Sequence, residues 1–255
     1  SGSISQQGGS SLAANWMKLV ADNGAGTKYD ITLANSGNDL NGKVNADGLN
    51  ISLLGSTGGL KLGNITAGGD LVATSLGGWI LQRGNSGITV VGDASLTADN
   101  GLIGIDNTKY NITLNRASND LQGAVNADGK NITLIDGTAG INLGTIATTE
   151  GFKITSKNGD IVQANATSLG IGGISTLTAN NGLTGIDSVK YNIVLANAGN
   201  DFMGAINGIG NDVSLVDDIG GLKIGEFTAV GSFSGTSRSG VINQSVGGKL
   251  AVTGI

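Results

Sequence analysis

The 255-residue chain contains no cysteine, no proline and no histidine, and only 13% of it is charged and 4% aromatic. Without cysteine or histidine there is no disulfide, no thiolate nucleophile, no histidine-based triad and no ordinary zinc ligand set, so no cofactor or metal site is expected. The missing proline excludes collagen and suits a stack in which each strand must both donate and accept backbone hydrogen bonds. No run approaches the ~18 apolar residues of a membrane span, so none is expected. Ser1 to Ser10 lacks the basic-then-apolar order of a signal peptide. Lack of cysteine fits an intracellular protein and equally a long bacterial surface protein that stays unfolded during export. A formal net charge of −5, from 14 Lys and Arg against 19 Asp and Glu, argues against nucleic acid as a partner.

What the chain has is glycine, 46 residues of it, and 39% hydrophobic residues that alternate along the sequence. Alternation supplies a face to bury, which sets the chain apart from disordered glycine-rich segments. It also repeats. Lys28-Tyr29 returns as Lys109-Tyr110 and Lys190-Tyr191, at a constant offset of 110 − 29 = 81 and 191 − 110 = 81. Asn38-Asp39-Leu40, Asn119-Asp120-Leu121 and Asn200-Asp201-Phe202 keep the same interval, each followed by a glycine at Gly42, Gly123 or Gly204. Residues 1–255 therefore read as one solenoid segment with units 30–110 and 111–191, flanked by partial units 1–29 and 192–255.

A finer period lies inside the unit, in apolar-x-apolar triplets. Ile31-Thr32-Leu33, Ile51-Ser52-Leu53, Leu71-Val72-Ala73, Ile88-Thr89-Val90 and Ile112-Thr113-Leu114 begin at successive intervals of 20, 20, 17 and 24. Side chains at i and i+2 share one face of a strand, so the triplets predict short strands stacked about every 20 residues into a parallel sheet. A second inward strand is read from Leu60, Leu62 and Ile65, which return as Ile141, Leu143 and Ile146 and as Leu222, Ile224 and Phe227. Asn23-Gly24, Asp47-Gly48 and Asn100-Gly101 are expected at corners that need φ > 0 or a tight bend. The predicted fold is an all-β parallel solenoid of 12 to 13 coils, a rod roughly 60 Å long at the ~4.8 Å strand spacing. Unpaired strand edges at its two ends read as the ends of an excised piece and leave end-to-end self-association open.

The Gly-x-Ile-x-Gln pattern at Gly2 to Gln6 recurs at Gly78 to Gln82, Gly159 to Gln163 and Gly240 to Gln244. With the Asn-Asp-Leu/Phe-x-Gly element and the coil length, it resembles the repeat regions of filamentous-haemagglutinin-like adhesins, exoproteins of Gram-negative two-partner secretion. The resemblance implies a right-handed β-helix at the cell surface or outside the cell, working in adhesion or biofilm attachment. That family's secretion domain carries Asn-Pro motifs, which a chain without proline cannot contain.

Candidate chemistry is sparse. Asp217-Asp218 is the one adjacent acidic pair, but the same positions hold Asp136-Gly137 and Gly55-Ser56 in the other units, which reads as a turn rather than a catalytic dyad. Asp39, Asp120 and Asp201 read as turn caps. No calcium loop and no phosphate-cradling Gly-Lys-Ser/Thr element is found. Tyr29, Tyr110 and Tyr191 form a candidate row of sugar contacts, weighed against burial at the edge of a packed loop. Trp16 and Trp79 do not repeat and are the more pointed candidates for glycan contact. The expectation is a non-enzymatic shaft of a secreted or cell-surface adhesin that touches extracellular polysaccharide or a host or bacterial cell surface. The alternatives are a β-helical polysaccharide lyase or hydrolase, and an ice-binding solenoid, which the Thr32, Thr113, Val194 series disfavours.

Overall fold

The computed structural model describes residues 2–254. Among these, twenty-six strands fall into two 13-stranded sheets. Every pairing between these strands is parallel, as register shows from Ile31↔Ile51 in one sheet to Ile112↔Ile132 in the other. The chain crosses from one sheet to the other and back, one rung further each time, so the fold is a parallel β-solenoid.

The apolar alternation dictates which side of each strand faces inward. Ile31, Ile51 and Leu71 stack on successive rungs of the first sheet, and Leu60, Leu62 and Ile65 lie in the second, all at most 1% exposed. Their counterparts Ile141, Leu143, Ile146, Leu222, Ile224 and Phe227 are buried as well. The inward positions read from the sequence thus form one continuous core.

The rung count is eleven rather than 12 to 13, which makes the stack about 50 Å tall. The coils also differ in length. Equal steps of 51 − 31 = 20 and 71 − 51 = 20 carry Ile31 to Ile51 and Leu71, and then 94 − 71 = 23 reaches Ala94 and 125 − 94 = 31 reaches Val125. The long steps carry projecting loops, each closed at its neck by an antiparallel bridge: Asp22↔Lys28, Asp99↔Lys109 and Asn180↔Lys190.

The triplets do not share one sheet. Ile31, Ile51 and Leu71 belong to the first, whereas Ile88 and Ile112 pair in the second, against Ile65 and Ile80. The reason is parity. One repeat unit crosses the solenoid seven times, starting at Ile31–Leu33, Lys43–Gly48, Ile51–Gly55, Leu60–Ala67, Leu71–Ser75, Ile80–Gln82 and Ala94–Ala98. Seven half-turns are three and a half turns, so Ile112 lands opposite Ile31. Ile193, two units beyond Ile31, returns to the first sheet seven rungs on. Successive copies therefore face opposite ways.

Two recurrent motifs join the copies. Gln82 and Asn119 exchange amide hydrogen bonds at 2.7 and 3.1 Å, and Gln163 pairs with Asn200 at 2.8 and 2.9 Å. Gln6 and Asn38 do the same at 2.6 and 2.9 Å. The glycine after each Asn-Asp-Leu/Phe element is there for space: a Cβ on Gly123 would sit 2.1 Å from the carbonyl oxygen of Gly92. Gly24 and Gly101 have φ of +71°, as expected of corners. Gly48 differs from that expectation. It is a buried strand residue whose missing Cβ makes room for the Tyr29 carbonyl 2.8 Å away.

Candidate functional site: the outer face of the second sheet

Of the acidic residues read as turn formers, Asp136 and Asp217 do hold backbone amides, whereas Asp39, Asp120 and Asp201 cap no turn: Asp120 accepts from the Gln122 side chain, and a buried oxygen of Asp39 has no hydrogen-bond partner. Asp217 is fully buried and accepts hydrogen bonds from the amides of Phe202 at 2.8 Å and Gly221 at 3.0 Å. Its neighbour Asp218 points the other way, as strand alternation requires, accepts from the Gly199 amide and pairs with Arg238 at 3.3 Å. Asp136, also buried, takes the amides of Leu121, Thr138 and Ala139. Burial pushes its carboxyl above the usual range despite those three bonds. Burial and the nearby Asp217 likewise push Asp201 up. Among the described residues no group of three His, Cys, Asp or Glu side chains gathers as a metal site, and no helix is long and apolar enough to cross a membrane.

The three tyrosines do not form one row. Tyr29 and Tyr191 sit where the chain passes from the second sheet to the first, and Tyr110 sits at the opposite edge. Each donates its amide across a loop neck, to the carbonyls of Ala21, Ala98 and Ala179 at 2.8, 2.8 and 2.9 Å. Each packs, half-buried, against the core.

The two tryptophans are different: Trp16 is 62% exposed and Trp79 is 56% exposed. Register runs Trp16↔Lys43↔Lys61↔Leu81 across four successive rungs of the second sheet, and Trp79 lies just before Leu81 on the far side of Ile80. Val44 and Leu62, the neighbours of the two lysines, point into the core, so Lys43 and Lys61 face out with Trp16. Lys18 shares the Trp16 strand, and Arg83 follows the inward Gln82, so both face outward as well. The tryptophan-bearing rungs lie three strand spacings apart, about 14 Å.

The surface between them is electropositive although the chain is acidic. Among the described residues, the ion pairs involve Lys28, Lys109, Lys130 and Arg238, leaving Lys18, Lys43, Lys61 and Arg83 without a carboxylate. Asp47 is the acid on this stretch of the face, and Lys28 holds it at 2.6 Å. Lys61 also donates to the Asn41 carbonyl, which ties its ammonium near the corner where Trp79 sits. A shallow groove of about 510 Å³ opens on the same face, lined by Trp16, Lys18, Val20, Asn45, Asp47 and Thr66 among others. The sequence points to the tryptophans but not to the four cations. Trp16, Lys43 and Lys61 are far apart along the chain, and only sheet register brings them into line.

A family model described as "Repeats of unknown function (DUF5649)" matches residues 1–47, 48–128 and 129–208. No curated protein and no solved structure matches the chain.

Proposed function

The chain belongs to the DUF5649 repeat family, and from that membership and its β-solenoid scaffold we propose that it is the shaft of a secreted or cell-surface bacterial adhesin. In this reading it holds a binding surface away from the cell, in attachment or biofilm formation, and touches extracellular polysaccharide along its side. The observation that carries the proposal is the unbroken core through eleven rungs, each hydrogen-bonded to the next, which makes length and stiffness the main properties of the molecule. The polar groups that enzymes would converge on a substrate are instead spent on turns and on the joints between copies, as with Asp136, Asp217 and the Gln–Asn pairs.

The test is to excise residues 30–191 from the gene that encodes this chain. That removes two units and seven whole turns and keeps the downstream face in register, while the rod shortens by about 34 Å. The shaft reading expects surface display to persist and attachment to fall, and to recover when two copies of residues 111–191 fill the gap, which restores the length without Lys43, Lys61, Trp79 or Arg83. Absence of the protein from the cell surface, or attachment indifferent to the excision, would overturn it. Release of reducing ends from glycans incubated with the purified chain would replace it with the lyase or hydrolase alternative.

A further inference from the structure

We infer that the outer face of the second sheet over its first four rungs is a binding site for an acidic polysaccharide, with Trp16 and Trp79 stacking on sugar rings and Lys18, Lys43, Lys61 and Arg83 meeting their carboxylates or sulfates. This rests on the polysaccharide contact in the shaft reading and gives it a location and a ligand class.

The repeats supply the internal control. Backbone contacts fix which residues are equivalent. Tyr29 and Tyr110 bond Ala21 and Ala98 in the same way, and Gly42 and Gly123 stack on Asn15 and Gly92. On that basis the six positions become Asp93, Ser95, Ala124, Asn142, Asp160 and Ala164 in the second copy, which presents them on the opposite sheet. The third copy returns to the same sheet seven rungs further on and retains Lys223 alone, with Val241 in place of Trp79. The large apolar core positions and the Gln–Asn joints keep their character through all three copies. The six outward positions carry two aromatics and four cations of one sign only in the first.

The chemistry then selects the occupant. An exposed indole offers an apolar face to the C–H side of a sugar ring, and two of them on rungs about 14 Å apart match an extended chain rather than a single sugar. The four unpaired cations call for an anion. The charge must also be sparse. Outside the patch the chain holds 14 − 4 = 10 cations against 19 − 1 = 18 acids, Asp47 lying on the face itself, so a polymer with a phosphate on every nucleotide meets repulsion as soon as it runs past these rungs. A glycan charged on every second sugar does not. The low net charge read from composition therefore still disfavours nucleic acid, while it conceals a local basic patch.

The experiment is titration of the full purified chain with hyaluronate and keratan sulfate, which carry roughly one carboxylate or one sulfate on every second sugar. Dextran serves as the neutral control and single-stranded DNA as the rival polyanion, with tryptophan fluorescence and calorimetry as readouts. Binding to at least one anionic glycan, weakened by salt and absent for dextran, is expected. The uronate and sulfate arms show which anion is preferred. Trp79→Ala and the Lys43→Gln/Lys61→Gln pair should each weaken binding roughly tenfold, and Lys153→Gln elsewhere on the same sheet should not. All these side chains point outward, and an unchanged circular dichroism spectrum confirms each fold. No binding to any anionic glycan, equal loss in Lys153→Gln, or tighter binding of DNA would each overturn the site. A chain that binds no glycan but still loses attachment on excision leaves the shaft standing, whereas a glycan-binding chain that never reaches the surface removes the shaft and keeps the site.

Discussion

Replacing Asn119 with alanine removes one half of the amide pair that joins consecutive copies. Asn119 is fully buried. Its Oδ1 accepts from Gln82 Nε2 at 2.7 Å and from the Ile88 amide at 3.1 Å, and its Nδ2 donates to Gln82 Oε1 and the Ile135 carbonyl, both at 3.1 Å. Alanine leaves the Ile88 amide and the Gln82 carbonyl oxygen without these partners inside the rod. A buried group left unpaired costs about 1–3 kcal/mol, so two of them and the vacated volume amount to about 3–5 kcal/mol.

Gln244 provides the control. It stands at the motif position of Gln82, the other half of the pair, but is exposed, and its amide reaches only the Gly248 carbonyl at 2.9 Å, so Gln244→Ala should cost less than about 0.5 kcal/mol. Urea denaturation followed by circular dichroism measures both, and midpoints are compared only where the slope is unchanged, because long repeat arrays can unfold in parts. A Gln82→Ala/Asn119→Ala cycle should return a coupling of about 1–3 kcal/mol. Native-state hydrogen exchange should show the Ile88 amide losing protection before the remote rungs, since coupling in a solenoid is between neighbours. If Asn119→Ala and Gln244→Ala fall within about 0.5 kcal/mol of each other, the joint is not what holds the copies together.

Two further outcomes are expected. Gly123→Ala places a methyl group 2.1 Å from the Gly92 carbonyl oxygen and 2.4 Å from its carbon, where only backbone can yield, so thermal melting should show a loss of about 3 kcal/mol or more. Gly101→Ala, which meets one flexible Leu76 methyl and a φ of +71°, should cost about 1 kcal/mol, and equal losses would refute the distinction. Carboxyl titration by NMR should separate Asp212 from Asp136. The Ser232 hydroxyl and amide hold Asp212 below 3.8, so its contribution is present above that value and lost as pH falls through the lowered folded value. Burial raises Asp136, so its contribution is fully present below 3.8 and is lost as pH rises through the raised folded value. Ser232→Ala should return Asp212 toward 3.8, and an unmoved titration would sink that assignment.

The solenoid is legible in the sequence because its core is written in large apolar residues at period two, and Ile31, Ile51 and Leu71 do stack. The parity is hidden because some crossings carry little of that signal. Lys43–Gly48 offers only Val44 and Ala46 to the core beside a glycine, and Ala94–Ala98 offers Leu96 between two alanines. Giving each triplet a full turn therefore yields four turns per unit instead of three and a half and places Ile112 beneath Ile31. The same miscount turns three tyrosines on two edges into one row. The cationic face is hidden for a different reason: charge summed over a chain averages away four residues that only register brings together.

Parity has a consequence for a protein that grows by repeats. Because one unit is seven half-turns, gaining or losing a single unit rotates everything beyond it by half a turn, while a change of two units restores the original facing. A face such as that of Trp16, Lys43, Lys61 and Trp79, borne by one copy alone, thus has its side of the rod set by whether the number of units before it is odd or even. Apart from this sidedness the solenoid is indifferent to repeat number, since an apolar core, the Gln–Asn joint and the close-packed glycine recur in either orientation. Stability should therefore vary smoothly as units are added, while recognition by a surface-bound glycan alternates.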